Sequence, residues 1–176
     1  PDGGEWTLGR LIRELADIDG LDRIRYITSY PAEVDEDLIS AHRDVPELMP
    51  FLHLPVQSGS DKILKAMNRL HTREEYFELI DNIRRIIPDI AISQDMIAGF
   101  PTETEEEHQD TLSLMEYVKY DFGFMFAYSE RPGTLAGRRM EDDIPAEVKQ
   151  RRLNEIQALQ RKHSHYRTRE NIGKTQ

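Results

Sequence analysis

Four short apolar runs alternate with helical patterns along the chain, and this alternation limits the fold more than any other feature. The runs are IRYITSY at 24–30, FLHLPVQ at 51–57, AISQDMIAGF at 91–100 and FGFMFAYS at 122–129. Each is rich in β-branched or aromatic residues and bounded by turn formers, the pattern of a strand. Residues 7–18 carry Leu8, Leu11, Ile12, Leu15 and Ile18 at helical spacing. A short helix is expected over about 35–43. Ser60 can cap another, with Ile63, Leu64 and Met67 facing inward. Thr72-Arg73-Glu74-Glu75 and Thr104-Glu105-Glu106-Glu107 are capping boxes. The first opens a helix with Tyr76, Ile80, Ile83 and Ile87 on one face, stopped by Pro88; the second opens one that buries Leu112, Met115 and Val118. Asp143 and Pro145 fit the start of a long helix reaching about residue 170. Its stripe of Ile156, Leu159, His163 and Tyr166 reads as core.

Strands separated by helices predict parallel β-α units, so the fold class is α/β with about four parallel strands and flanking helices. The apolar runs suit strands covered on both faces. Pro55 argues for an edge, an end or an irregular ladder in the second run. Four strands are too few to close a barrel. The sheet is therefore open, or the chain is part of a larger barrel.

Composition excludes several classes of chemistry. Cysteine is absent from the 176 residues, which rules out disulfides, thiolate catalysis and cysteine-held clusters within this chain. No stretch approaches the ~20 apolar residues of a membrane span, and no basic-then-apolar leader is present; a cytoplasmic location is expected. The opening PDGGEW suggests an excised or processed piece. Charge is uneven: residues 149–176 carry net +6 and residues 1–148 net −16, within an overall −10. The basic tail suits either a solvated helix or a polyanion partner.

Ligands of parallel α/β folds gather at the C-terminal strand ends. Those ends read Thr28-Ser29-Tyr30, Gln57-Ser58-Gly59-Ser60, Gly99-Phe100-Pro101-Thr102 and Tyr128-Ser129-Glu130-Arg131. Asp95 inside a strand needs water, a partner or a ligand; it either accepts from a ligand amine or hydroxyl or pairs with an arginine. Gly99 permits close backbone approach or simply makes a turn. His53 reads as a hydrogen-bonded core histidine. No HExxH, P-loop or GxGxxG occurs. Ser58 has no evident His/Asp partners, so a hydrolase triad is unsupported.

The segments HLPVQSGSDKILKAMNRLHTREEY, ISQDMIAGFPTETEEE and YSERPGTLAG, in that order, resemble the radical S-adenosylmethionine methylthiotransferases. The likeness is nearest to the branch that acts on isopentenylated adenosine beside the tRNA anticodon. It runs from about residue 8 to 176. Part of it is shared with coproporphyrinogen dehydrogenases and other radical enzymes.

The resemblance implies a partial (β/α) barrel of the TIM type, with the four runs as its third to sixth strands. Residues 1–144 would be the C-terminal part of that barrel, and 145–176 a basic helix leading to an RNA-binding domain outside the chain. Gln57 and Ser58 would face S-adenosylmethionine at the fourth strand end, with Ser93, Asp95, Ile97 and Gly99 on the fifth. Ile97 would touch the adenine, and Tyr128 and Ser129 would complete the site. Arg131, Arg161, Lys162, Arg167 and Arg169 would lie near tRNA phosphates. The family's [4Fe–4S] clusters are held by cysteines, absent here, so the chain alone is expected to be inactive. In the longer parent a cluster fed by a reductant protein would cleave S-adenosylmethionine. The resulting radical would take hydrogen from adenosine C2, where a methylated sulfur then joins. Thr102 stands where relatives often have Gly, and Gln94 where Ser or Thr is usual. The other readings are a ribosomal-protein methylthiotransferase, a porphyrinogen oxidase type, and a cluster-free binding module; HLPVQSGS and MNR favour the tRNA branch.

Overall fold

The structure is a computed structural model that describes residues 5–27 and 30–173. Its helices are α1 (Leu8–Ala16), α2 (Glu36–Asp44), α3 (Asp61–Ala66), α4 (Arg73–Ile86), α5 (Glu105–Val118), α6 (Leu135–Arg139) and α7 (Ala146–Glu170). Its strands are β1 (Phe51–His53), β2 (Ala91–Ala98) and β3 (Phe122–Ala127). They form one parallel sheet in the order β1-β2-β3.

Helix starts follow the side chains expected to set them. Thr72 and Thr104 each form complete capping boxes, and Ser60 accepts the Ile63 N–H. Asp143 does not cap α7: Pro145 occupies that position, and Asp143 instead accepts the Thr102 N–H at 2.8 Å. α6, capped by Thr134, was not foreseen.

The run at 24–30 is not a strand where it is described. Ile24 makes one isolated parallel bridge to Leu48, and the ladder stops there. Phe51 N–H, which would carry the ladder on to Tyr26, donates instead to the Met49 carbonyl at 2.7 Å. Thr28 and Ser29 lie outside the described residues. β1 ends at His53; past Pro55 the register slips by one residue, so that Gln57 N–H and not Val56 N–H reaches the Asp95 carbonyl, and pairing resumes at a single bridge between Gln57 and Met96.

Side-chain alternation splits the sheet into two faces. Leu52, Leu54, Ile92 and Met96 are buried against Tyr76, Ile80 and Ile83 of α4, Leu114, Met115 and Val118 of α5, and Ile156 of α7. The other face carries Phe51, His53, Ser93, Asp95 and Ile97, with Phe122, Phe124 and Phe126 on β3. Those three rings are 40%, 54% and 55% exposed. The sheet is thus covered on one face only among the described residues. α1 and α2 form a smaller cluster around Ile12, Leu38, Ala41 and Leu48.

α7 runs antiparallel to the strands. Lys149 lies by Tyr128 at their C-terminal ends, and Arg167 by Ile90 and Asp121 at the other end. Its stripe buries Ile156 and His163, but Tyr166 is exposed and bonds Glu170. On α5, Leu114 takes the fully buried position and Leu112 is only partly covered.

Candidate functional site

A cleft of about 490 Å³ opens at the C-terminal ends of β2 and β3. Asp95 and Ile97 of β2, Phe126 of β3, and Phe100 and Tyr128 just beyond them form its inner wall. Gln57, Ser129 and Arg131 add polar groups, and Met67, Asn68 and Arg69 close the side next to α3. Phe100 and Tyr128 meet edge to face, with centroids 5.1 Å apart.

Gln57 is locked into the sheet on both sides of its peptide. Its N–H donates to the Asp95 carbonyl at 2.9 Å, and its carbonyl accepts from Ile97 N–H at 3.0 Å. Its φ of 74° is uncommon for a residue with a Cβ, and those two bonds hold it there. Asp95 faces His53, not an arginine: His53 Nε2 lies 3.7 Å from Asp95 Oδ1. His53 Nδ1 lies 2.7 Å from Ser93 Oγ, which makes His53 the hydrogen-bonded histidine expected.

The structure brings Gln57, Asp95, Ile97, Tyr128, Ser129 and Arg131 together around the cleft. Three other expected residues do not line it. Ser58 is wholly buried towards α5, where its Oγ lies 3.5 Å from Thr111 Oγ1 and accepts the Ser60 N–H. Ser93 is wholly buried beneath His53. Gly99, at φ 72°, faces α7, and a Cβ there would fall 2.4 Å from Lys149 Cγ.

The basic residues divide as well. Lys162 pairs with Glu116 at 2.8 Å, and Arg167 with Asp121 at 3.2 Å. Arg167 thus sits at the end of the sheet away from Arg131. Arg161 and Arg169 are exposed. Arg69 and Asn68 escaped the residue-level reading, although the MNR motif marked their segment. Glu103 and Arg152, a buried pair behind the Gly99 turn, had no local signal at all.

A cluster of Glu105, His108 and Glu155 has metal-like spacing. Arg151 bridges both carboxylates, and His108 Nε2 lies 2.7 Å from Glu155. An arginine already fills the place of a cation. The same ion pair with Arg151 holds the Glu105 carboxyl down at about 2.

Residues 3–115 match the Radical SAM superfamily. This chain belongs to that superfamily. The radical SAM chain is 61% identical over 165 residues to the tRNA-2-methylthio-N(6)-dimethylallyladenosine synthase of Christiangramia forsetii, covering 94% of this chain and 34% of the relative. Synthases of the same name from Flavobacterium johnsoniae and Paracoccus denitrificans are 62% and 58% identical, over 87% and 90% of this chain and 32% and 35% of theirs. The radical SAM chain therefore spans about a third of the length of these relatives. Among solved structures, coproporphyrinogen III oxidase from Escherichia coli, titled a radical SAM enzyme, superposes with a TM-score of 0.61. The match is 26% identical and covers 76% of this chain and 31% of that one. Among the described residues no helix is long and apolar enough to cross a membrane.

Proposed function

We propose that this chain supplies the cosubstrate-binding part of the barrel of a tRNA methylthiotransferase, one that methylthiolates C2 of isopentenylated adenosine near the anticodon. The observation that carries this reading is identity of 58–62% to synthases named for that product, across nearly the whole chain. The 26% identity to the porphyrinogen oxidase favours that branch less. Residues 1–144 are assigned to the barrel and 145–176 to a helix that leads on to an RNA-binding domain. The whole enzyme is assigned to the cytoplasm, with tRNA and a cluster reductant as partners.

The cleft suits S-adenosylmethionine in its chemistry. Ile97, Phe100 and Phe126 offer apolar surface to a purine, Asp95 and Gln57 offer acceptors to ribose or amine, and Arg131 offers a cation at the edge. S-adenosylmethionine supplies the reactive carbon chemistry of this superfamily. The work of these residues is to bind it, orient its ribose and amine, and keep water from its apolar side. The [4Fe–4S] cluster does not fit the residues present, because thiolates hold such clusters and the chain has no cysteine. Its ligands belong to the longer protein.

The test is nucleoside mass spectrometry of tRNA incubated with the full-length, cluster-loaded enzyme. The 2-methylthio adduct on isopentenyladenosine is expected, and Asp95→Asn should reduce it. Absence of the adduct, with turnover of another substrate, would overturn the assignment.

A further inference from the structure

We propose that His53 is a positioning residue that aims the Asp95 carboxylate into the cleft to accept a hydroxyl or amine of S-adenosylmethionine, with Ser93 ordering His53 in turn. This rests on the reading of the cleft as the cosubstrate site.

Strand register puts the three residues together. His53 pairs with Ser93 across β1 and β2, and Asp95 follows Ser93 on the same face two residues on. Nδ1 of His53 is 2.7 Å from Ser93 Oγ, and Nε2 is 3.7 Å from Asp95 Oδ1. The second distance is within ion-pair reach but too long for a hydrogen bond, so the ring sets the local field without occupying the carboxylate. A carboxylate favours a proton on the nitrogen that faces it. That assigns the proton to Nε2, leaves Nδ1 as an acceptor, and makes Ser93 Oγ–H the donor. Phe124 meets the imidazole edge to face at 6.4 Å and limits its rotation.

The same three residue types make hydrolase triads, but Ser93 is wholly buried and out of reach of any substrate. The serine here orders the ring, and the aspartate is the member that meets the cleft. Among the described residues no lysine or arginine forms an ion pair with Asp95; its side chain keeps acceptor capacity on the cleft side. Gln57 fixes the Asp95 backbone, through bonds to its carbonyl and to the next residue but one. What remains to be set is the direction of the carboxylate, and His53 is the group placed to set it.

The experiment uses the full-length, cluster-loaded enzyme. It reads the dissociation constant for S-adenosylmethionine by equilibrium dialysis, alongside KM and kcat. Asp95→Asn and His53→Ala are each expected to weaken binding roughly tenfold, with KM rising more than kcat falls. The double variant is expected to bind no more weakly than Asp95→Asn alone, because His53 acts through Asp95. His53→Gln, whose amide offers both a donor and an acceptor, should restore most of the affinity. Normal binding by His53→Ala beside weak binding by Asp95→Asn overturns the positioning role and leaves the cleft reading intact. Normal binding by Asp95→Asn overturns both. Additive losses in the double variant also overturn the proposal. If His53→Ala does not fold, Ser93→Ala takes its place. Its expected loss is about threefold and vanishes in the Asp95→Asn background; unchanged binding, or a loss that persists there, overturns the proposal.

Discussion

Arg152 Nη1 lies 2.9 Å from Glu103 Oε2, with the two side chains only 5% and 1% exposed. The same carboxylate oxygen accepts the Gly99 N–H at 2.8 Å, and Nη1 also donates to the Glu103 carbonyl at 2.9 Å. One arginine on α7 thus ties down the turn that follows β2 and presents Phe100 to the cleft. Burial pushes the Glu103 carboxyl above its ordinary range, against the Gly99 amide and Arg152, which favour its charge. Removing one partner of such a pair strands the other in the interior. Arg152→Ala should therefore cost about 3–5 kcal/mol. Arg152→Met with Glu103→Gln should cost less, since neither charge is then left alone. Urea denaturation of both variants measures the difference; equal losses would show that packing, not charge, dominates there.

Gly59 in the QSGS segment packs directly against the backbone of α5. A Cβ at this position would fall 2.5 Å from the Asp110 carbonyl oxygen and 2.6 Å from Thr111 Cα, both backbone atoms of α5. The Gly59 N–H also donates to Thr111 Oγ1 at 2.9 Å. Backbone cannot yield as a side chain can. Gly59→Ala should destabilise the protein by about 1–3 kcal/mol, the range for overpacking, and push α5 away from the strand end. Gly20→Ala is a useful contrast: it meets nothing within 4 Å but sits at φ 82°, so its cost is backbone strain alone, about 1 kcal/mol. Thermal unfolding ranks the two, and the order Gly59 above Gly20 is the expectation.

These two relationships also mark how far the sequence could be read. The capping boxes were legible because their signals are local, with Thr72 and Thr104 each acting on a residue three positions away, and parallel pairing was legible in the alternation of strand and helix patterns. The short strand at Phe51–His53 was partly legible through Pro55. The missing ladder at 24–27 was not, because it depends on Phe51 N–H turning back to the Met49 carbonyl, which no local pattern reveals. At the site, alternation singled out Asp95, and the family resemblance added Ile97; both line the cleft. Alternation could not separate Gln57 from Ser58, because the chain turns there through a positive φ and sends the serine towards Thr111. The pairs His53–Asp95 and Glu103–Arg152 join residues about 40 or more positions apart, and only the packed structure brings them together.

Acid should weaken the α1–α2 end of the protein through His42. Burial holds this imidazole down at about 4, against an ordinary 6.5. Tyr26 Oη lies 2.6 Å from its Nε2. The unfolded chain takes up a proton near pH 6.5, and the folded chain only near pH 4. Between those values the unfolded state binds more protons, so stability is complete above pH 6.5 and falls as pH drops towards 4. The whole effect is on the order of 3 kcal/mol at most. His42→Gln, which cannot titrate, should flatten this part of the stability–pH curve. Urea midpoints from neutral pH down to about pH 4 test it; an unchanged slope in the variant would assign the loss to other groups.

The open face of the sheet should make this chain associate with itself. Phe122, Phe124 and Phe126 stand in a row on β3, all at least 40% exposed. Among the described residues β3 pairs with β2 alone, which leaves its outer edge unpaired. An exposed edge strand with an aromatic face is a template for another copy. Phe51 stacks flat on Phe122, with centroids 5.5 Å apart, so substitution of Phe122 would disturb the sheet. Phe124 is the better probe, being more exposed and outside the cleft. Phe124→Lys places a charge on the face, which natural edges use to prevent pairing. Light scattering behind size exclusion should show a mass that rises with concentration for the parent chain and stays near one chain for the variant. If Phe124→Lys associates as the parent does, the contact lies elsewhere, and the groove between β3 and α7 around Gly123, Gln160 and Arg161 becomes the surface to vary.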